Sequence, residues 1–200
     1  MRRPRSLSMP RRFFALALVA GFAFVLCARG ASAGTRERRF FSARLGVGVE
    51  APVGWTLSLH TGYPEILVVL LHPDGSRISL SAAPTTVVDA HALVEQSRRG
   101  LEAQHLTITR VAAGARGGVL VDTRGAGREL RQYYLVRAAG PGKRQGVVLT
   151  LTTRAETLAS AGPAFDAAVA SLQLEAPAGS EAKSEDVAPD GGAPDSRARP

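Results

Sequence analysis

The chain has 200 residues, with 25 lysines and arginines, 17 acidic residues and one cysteine, and its formal charge is +8. Six of the arginines lie in residues 1–33, which contain no acidic residue, so the remainder carries only +2. One cysteine excludes an internal disulfide framework. The small charge beyond residue 33 argues against a nucleic-acid partner.

The first 33 residues have the three parts of an export signal. Five arginines precede an apolar run of 16 residues, 13–28, and Ala31-Ser32-Ala33 then supplies the small residues that signal peptidase recognises. We predict a cleaved signal peptide at 1–33 and a periplasmic or secreted protein. Because a membrane helix needs about 20 apolar residues, we do not expect an integral membrane protein after cleavage.

The export route is less sharply marked. Arg11-Arg12-Phe13-Phe14 resembles a twin-arginine signal, but Pro10 and Ala15 depart from that pattern, so general secretion is favoured. Leu26 before Cys27 is larger than a lipoprotein signal prefers. We therefore expect Cys27 to be removed with the signal, which excludes a cysteine nucleophile or cysteine-bound metal in the mature chain.

Short strands are predicted for the first part of the domain, over residues 45–49, 55–59, 66–72 and 77–83. The first is indicated by Leu45, Val47 and Val49, which alternate with small or polar residues. Asp74-Gly75 favours a hairpin turn because both residues tolerate positive φ.

A helix is predicted next, from a capping box at Thr86–Asp89 to about His105. Its apolar stripe consists of Ala90, Leu93, Val94, Ser97 and Leu101. Two ion pairs with a spacing of four residues, Glu95–Arg99 and Arg98–Glu102, are expected on its outer face.

Four more strands are predicted over residues 106–112, 119–124, 128–138 and 147–153, with glycine-rich turns at 125–127 and 140–142. Pro163 is suited to the first turn of a final helix, which would face the sheet through Phe165, Ala168, Val169 and Leu172. This order of strands and helices is typical of an α+β domain with an antiparallel sheet.

The composition changes at residue 176. Residues 176–200 have no aromatic residue and are rich in proline, glycine, alanine and charge, so they cannot bury enough apolar surface to offset their ordering entropy. We predict one domain at 34–175 and a disordered tail at 176–200.

A family resemblance lies in the segment LGVGVEAPVGW and in the ending FDAAVASLQL. The first resembles the opening of PsbP-like domains, with Gly46, Pro52, Gly54 and Trp55 in the corresponding places. The second, with Phe165, resembles the terminal helix and strand of the same group, which includes DcrB-like envelope proteins. The resemblance covers residues 39–175. It implies an α/β/α sandwich around a central antiparallel sheet and a binding or assembly role without catalysis. We expect no cofactor.

Catalytic motifs are weak. No Gly-x-Ser-x-Gly, HxH, HExxH or phosphate-loop pattern is present. An exported hydrolase or metal-dependent enzyme would have to use His60, His72 and Asp74, and we keep it as the alternative. Trp55 is interpreted as a core anchor rather than a ligand platform.

Charged residues are unevenly distributed along the domain. The segment 116–144 is basic, with seven basic and two acidic residues. Its candidate partner-binding residues are Arg124, Arg128, Arg131, Tyr133 and Arg137. They would suit an anionic envelope component or an envelope protein, unless they belong to a solvated sheet edge protected by arginine. A cleft between sheet and helix is a further possible ligand site. The leading hypothesis is an exported, non-catalytic binding or assembly module.

Overall fold

The computed structural model describes residues 38–59, 61 and 65–177. The predicted signal peptide, Cys27, His60 and the tail beyond residue 177 lie outside the described residues. Predictions that concern them stay predictions.

The described residues form ten strands and two α-helices. The strands are β1 (Arg39–Ser42), β2 (Val47–Glu50), β3 (Thr56–Ser58), β4 (Ile66–Leu71), β5 (Arg77–Thr85), β6 (Thr107–Ala113), β7 (Val119–Gly125), β8 (Arg128–Ala138), β9 (Arg144–Thr153) and β10 (Gln173–Leu174). The helices are α1 (Ala90–Ala103) and α2 (Leu158–Ala170).

Seven strands form one antiparallel sheet in the order β3-β4-β5-β9-β8-β7-β6. The other three form a small sheet, β1-β2-β10. The α+β class with an antiparallel sheet is therefore confirmed. The edges of the large sheet are β3 and β6, so β8, which carries most of the basic candidates, is an interior strand. The interpretation of those arginines as guards of a sheet edge is wrong.

Both faces of the large sheet are covered. Tyr133 and Tyr134 are consecutive on β8, and successive side chains of a strand point to opposite faces. Tyr133 belongs to the larger core beneath α2 and β2, whereas Tyr134 packs with Val94 of α1. One face thus carries α1, and the other carries α2 together with the small sheet. This is the predicted sandwich, with a small sheet added to one outer layer.

The small sheet holds the glycine-containing opening of the resemblance. Gly46 has φ of +59°, and Glu175 donates its N–H to the Gly46 carbonyl at 2.8 Å. A Cβ on Gly46 would overlap the Glu175 carbonyl oxygen. A Cβ on Gly48 would lie 2.6 Å from the Phe40 carbonyl oxygen. Both glycines are required because other backbone passes too close for a side chain.

The helices differ from prediction in three details. The N-cap of α1 is Asp89, not Thr86, because the Asp89 carboxylate accepts the Ala92 N–H at 2.8 Å. Arg98 pairs with Glu95, one turn before it, instead of Glu102. Helix α2 begins at Leu158, so Pro163 is not in its first turn.

Removal of the observed cap gives a direct test of the helix start. Asp89→Ala should lower the free energy of unfolding by about 1 kcal/mol, since one amide of the first turn loses its partner. Thr86→Ala, at the exposed residue where the cap was predicted, should change it by less than about 0.5 kcal/mol. Urea denaturation of the two variants measures the difference, and equal losses would contradict the assignment of Asp89.

Candidate functional site

The predicted partner-binding residues do not form one open basic face. Arg131 donates from Nε to the Asp122 carboxylate at 2.9 Å, and the side chains are 23% and 20% exposed. Its guanidinium lies against Gly162 of α2, where an added Cβ would be 3.3 Å from Nη1. The charge of Arg131 is therefore partly neutralised within the fold.

Tyr133 is buried beneath the β6–β7 loop. Its phenol donates to the Ala115 carbonyl at 2.6 Å, and the ring fills the space that a Cβ on Gly118 would need. Burial raises the pKa of Tyr133, and the charge of nearby Arg116 lowers it by less. Tyr133 is 1% exposed, so this candidate partner-binding residue is part of the core and not of an accessible surface.

Arg137 holds three parts of the chain together. Its Nη2 donates to the carbonyls of Leu45 and Gly46 at 2.6 and 3.0 Å, and Nη1 donates to Glu175 at 2.6 Å. Nε donates to the Gln145 side chain at 2.9 Å. Burial lowers the pKa of Arg137. This guanidinium is occupied by backbone carbonyls, so its evident role is structural.

Arg124 and Arg128 lie at the β7–β8 turn. Arg124 forms an ion pair with Glu129, whose side chain is only 6% exposed. Arg128 borders a cavity of about 380 Å³ together with Asp74, Arg77 and Arg154. This cavity is lined by both acidic and basic side chains, and it lies between the β4–β5 turn and the β7–β8 turn.

The described part of the proposed enzyme site belongs to a hairpin turn. His72 Nδ1 lies 3.0 Å from the Asp74 carboxylate, which also accepts the Ser76 N–H at 2.7 Å. Desolvation would raise the pKa of Asp74, but hydrogen bonds from Ser76 and His72 outweigh it and lower the pKa overall. Ser76 Oγ is paired with Thr153, not with His72. Within the described residues, no three His, Cys, Asp or Glu side chains are placed to hold a metal ion.

Trp55 is an anchor of the larger core, as predicted, and is 7% exposed. Its ring centroid lies 5.2 Å from that of His72 at a tilt of 36°. One side of the imidazole is thus packed on the indole, which fixes the ring beside the turn.

Three other basic residues converge at the opposite end of the sheet. Arg44, Lys143 and Arg144 border a cavity of about 350 Å³, which we call the basic mouth. Its floor includes Pro84, Thr85 and Gln145. The three basic residues are exposed, and no acidic residue is among the described residues that line the cavity. Unlike those of Arg131 and Arg137, their side chains have no hydrogen-bond or ion-pair partner among the residues that the structure describes.

A second cavity lies on the α1 face of the large sheet and shares Pro84 and Thr85 with the lining of the basic mouth. It measures about 430 Å³ and lies between α1 and the strands β5 and β9, and we call it the helix cleft. The described residues of its walls carry no charged side chain, and they include Ala83, Leu93, Gly146 and Val148. Beneath the adjoining part of α1, burial raises the pKa of Tyr134 to about 12, while a hydrogen bond with Ser97 lowers it by less. The phenol is therefore neutral.

The sequence pointed to only part of the basic mouth. Lys143 and Arg144 belong to the basic segment 116–144, but the candidates were drawn from its strands, β7 and β8, and not from the turn that follows β8. Arg44 gave no signal, because it is far from Lys143 in the sequence. Only the fold brings the turn after β1 beside the β8–β9 hairpin.

The fold has counterparts among solved structures. Cyanobacterial PsbP (CyanoP) from Synechocystis sp. PCC 6803 matches with a TM-score of 0.52 and 14% identity, over 73% of this chain and 98% of that chain. LpqN, involved in cell envelope biogenesis of Mycobacterium tuberculosis, matches with a TM-score of 0.50 and 14% identity, over 64% of this chain and 82% of that chain. The fold is PsbP-like.

The PsbP-like fold confirms the resemblance seen in the opening and closing segments, as far as architecture is concerned. No protein-family model and no curated protein sequence matches the chain. In the described part of the chain, no helix is both long and apolar enough to cross a membrane.

Proposed function

We propose that the chain is an exported, non-catalytic binding module of the cell envelope, and that the basic mouth is its recognition site for an anionic envelope component. The observation that carries the proposal is the convergence of Arg44, Lys143 and Arg144 around one cavity whose described lining contains no acid. Positive side chains that lack internal partners attract anionic groups and can bind them directly.

Contrast with the other arginines supports this choice of site. Arg131 is paired with Asp122, and Arg137 is bound to carbonyls. An incoming anion would compete with these internal contacts, whereas the side chains of the basic mouth have no partner within residues 38–59, 61 and 65–177. The export signal predicted at residues 1–33 would bring the mouth into the envelope. LpqN, which shares the fold, is described as involved in envelope biogenesis.

The non-catalytic part of the proposal rests on the β4–β5 hairpin. His72 and Asp74 stabilise their own turn, and the Ser76 hydroxyl is paired with Thr153. An acid–base pair with a nucleophile would need these groups directed toward a common substrate position. For the alternative, an exported hydrolase or metal-dependent enzyme at His60, His72 and Asp74, the two described residues, His72 and Asp74, offer no comparable supporting geometry.

Binding to an isolated envelope fraction tests the proposal. The purified mature chain is sedimented with envelope vesicles of the producing organism, and the bound fraction is measured against vesicle concentration. The variant Arg44→Gln/Lys143→Gln/Arg144→Gln should bind roughly tenfold more weakly, because each lost surface contact contributes up to about 1 kcal/mol.

A control variant with the same change in charge distinguishes an effect of the basic mouth from an effect of the protein's net charge. Arg99→Gln/Arg110→Gln/Arg154→Gln removes three exposed arginines from other surfaces and should leave binding within about twofold of the native value. If both variants lose affinity equally, attraction is general and the basic mouth is not the site. If the native chain does not bind the fraction, the proposed function fails.

A further inference from the structure

We infer that the chain has a second ligand site, for a small phosphate monoester, at the end of the large sheet opposite the basic mouth. The site is the cavity of about 380 Å³ that includes Arg77, Arg128 and Arg154 in its lining, and we call it the arginine notch. It shares no described lining residue with the basic mouth. Arg144 and Thr153 are the two ends of β9, so the sites are about 30 Å apart. The inference is independent of the proposed function.

The notch is formed by the ends of three neighbouring strands. Strand β9 lies between β5 and β8 and ends at Thr153. The turns that precede β5 and β8 lie beyond the residues paired with Thr152 and Thr153, so both turns extend past the end of β9. Gly75 of the β4–β5 turn and Ala126 of the β7–β8 turn line the cavity. The notch is therefore a gap two strand spacings wide, roughly 10 Å, between two hairpin turns.

Two arginines and a threonine of the notch point to the same face of the sheet. Arg77 is opposite Thr152 in the register. Thr152 is opposite Leu130, and Arg128 lies two residues before Leu130 on β8. Opposite residues, and residues two apart on a strand, share a face. The Cα atoms of Arg77 and Arg128 are about 12 Å apart, so the two guanidinium groups can contact one anion from both sides, with the Thr152 hydroxyl between them.

The side chain of Arg128 is free to bind a ligand. It is only partly exposed, and it has no hydrogen-bond or ion-pair partner in the described part of the chain. The same is true of the Thr152 hydroxyl among the described residues. Arg154 contributes less, because its side chain is 71% exposed and lies 3.9 Å from Glu156. A guanidinium that is partly removed from water and lacks a counter-ion favours an anion in the cavity.

The charge of the notch matches a phosphate monoester. Asp74 is the one acid in its described lining. That carboxylate is directed toward its own turn, where it accepts the Ser76 N–H at 2.7 Å and lies 3.0 Å from His72 Nδ1. The three arginines and this acid give the lining a formal charge of +2. A phosphate monoester carries about −1.5 to −2 charge at pH 7 and has three strong acceptor oxygens, which suit the planar donors of guanidinium groups.

The volume and the remaining lining indicate the rest of the ligand. The cavity lies in the range of about 300–1,000 Å³ that is usual for small-molecule sites and is larger than a phosphate group requires. An added Cβ on Gly75 would meet nothing within 4 Å, so there is space beside the turn. Ser76, Thr153 and Thr157 provide hydroxyl groups, and no large apolar side chain is among the described lining residues. The notch therefore suits the phosphate ester of a small polyol.

The test is an amide NMR titration of the purified mature chain with three probes, namely glycerol phosphate, inorganic phosphate and glycerate. The signals of Gly75 and Ala126 report binding at the notch, and that of Gly142 reports binding at the basic mouth. At the notch signals, glycerol phosphate should bind with a Kd below about 1 mM. It should bind at least about threefold more tightly than inorganic phosphate, which fills less of the cavity, and at least about fivefold more tightly than glycerate, which has one negative charge.

A variant and a matched control locate the anion. Arg128→Gln should weaken glycerol phosphate binding at the notch signals at least about fivefold, because one wall of the notch loses its guanidinium. The fold should be kept, since this side chain has no partner among the described residues, and unchanged signals elsewhere in the spectrum check it. Arg144→Gln makes the same change in charge at the other end of β9 and should bind at the notch like the native chain.

The outcomes separate the inference from the proposed function. The notch is overturned if Gly75 and Ala126 do not respond to glycerol phosphate, or if Arg128→Gln binds it like the native chain. Equal binding of inorganic phosphate would overturn the assignment of an ester, and equal binding of glycerate would overturn the assignment of a phosphate. The proposed function is decided separately, by envelope sedimentation of the variant in which all three basic residues of the mouth are replaced.

Discussion

Replacing Arg137 with methionine should lower the free energy of unfolding by about 3 kcal/mol, although the native residue lies in a segment that looks like a binding surface. Three backbone carbonyls, of Leu45, Gly46 and Glu175, would lose a charged donor. Hydrogen bonds to a charged group contribute about 1.5–3 kcal/mol each, but bonds from one side chain are not additive. Methionine keeps much of the aliphatic packing, so the loss of unfolding free energy measures mainly the contribution of the guanidinium.

Two further variants make this result specific. Arg137→Lys keeps the charge but cannot present a planar fork to several carbonyls, so it should recover only about half of the loss. Arg110→Met, at an exposed position on the edge strand β6, should cost less than about 0.5 kcal/mol. Chemical denaturation measures all three, and a loss below about 1 kcal/mol for Arg137→Met would show that the guanidinium is dispensable.

The position of Arg137 affects how binding experiments are designed. Charge reversal at Arg131 and Arg137 would place an acid beside Asp122 and beside the Glu175 carbonyl. Loss of binding after that change would follow from loss of structure. Variants in the basic mouth avoid this difficulty because their side chains have no partner among the described residues.

The second large effect is expected for Gly46→Ala, which should lower the free energy of unfolding by about 4 kcal/mol. Two costs combine at this position. A non-glycine residue at φ of +59° costs about 1–2 kcal/mol. In addition, the new methyl group would overlap the Glu175 carbonyl oxygen, so β10 would have to move away from the turn before β2.

Gly127→Ala is the matched control. Gly127 also has positive φ, +72°, but nothing lies within 4 Å of an added Cβ. Alanine there should cost only the conformational part, about 1 kcal/mol. Thermal and urea denaturation compare the two variants. Similar losses at both positions would mean that the approach of Glu175 to Gly46 does not constrain the fold.

The strand pattern of the fold could be predicted because alternation is local. Leu45, Val47 and Val49 indicated the region of β2, and Asp74-Gly75 indicated the β4–β5 turn, since each depends on neighbouring residues only. Strand β1, Arg39–Ser42, was missed because Phe40 and Phe41 are adjacent and give no alternating pattern, so that only its pairing with β2 defines it.

The predicted start of α2 was wrong because tertiary packing determines where this helix begins. Pro163 is common in the first turn of a helix, so the sequence favoured a start beside it. The helix instead begins at Leu158, because Leu158, Ala161 and Phe165 pack together on the core. The stripe that they form contributes more than the hydrogen bond that proline cannot donate.

The site was less predictable than the fold, because the role of an arginine depends on its partners. Arg137 and Arg144 are both basic residues of the same hairpin, yet one is bound to carbonyls and the other is exposed at a cavity. Arg44 joins the cavity through the turn after β1. Neither fact depends on residues nearby in the sequence.

The central claim is tested most directly by photo-crosslinking in living cells, with a photoreactive amino acid in place of Arg44 at the basic mouth or of Arg99 on the outer face of α1. The account predicts that the full chain, exported from its own signal, is crosslinked to an envelope component from position 44 and not from position 99. Equal crosslinking from both positions, or crosslinking from position 99 alone, would contradict the basic mouth as the recognition site.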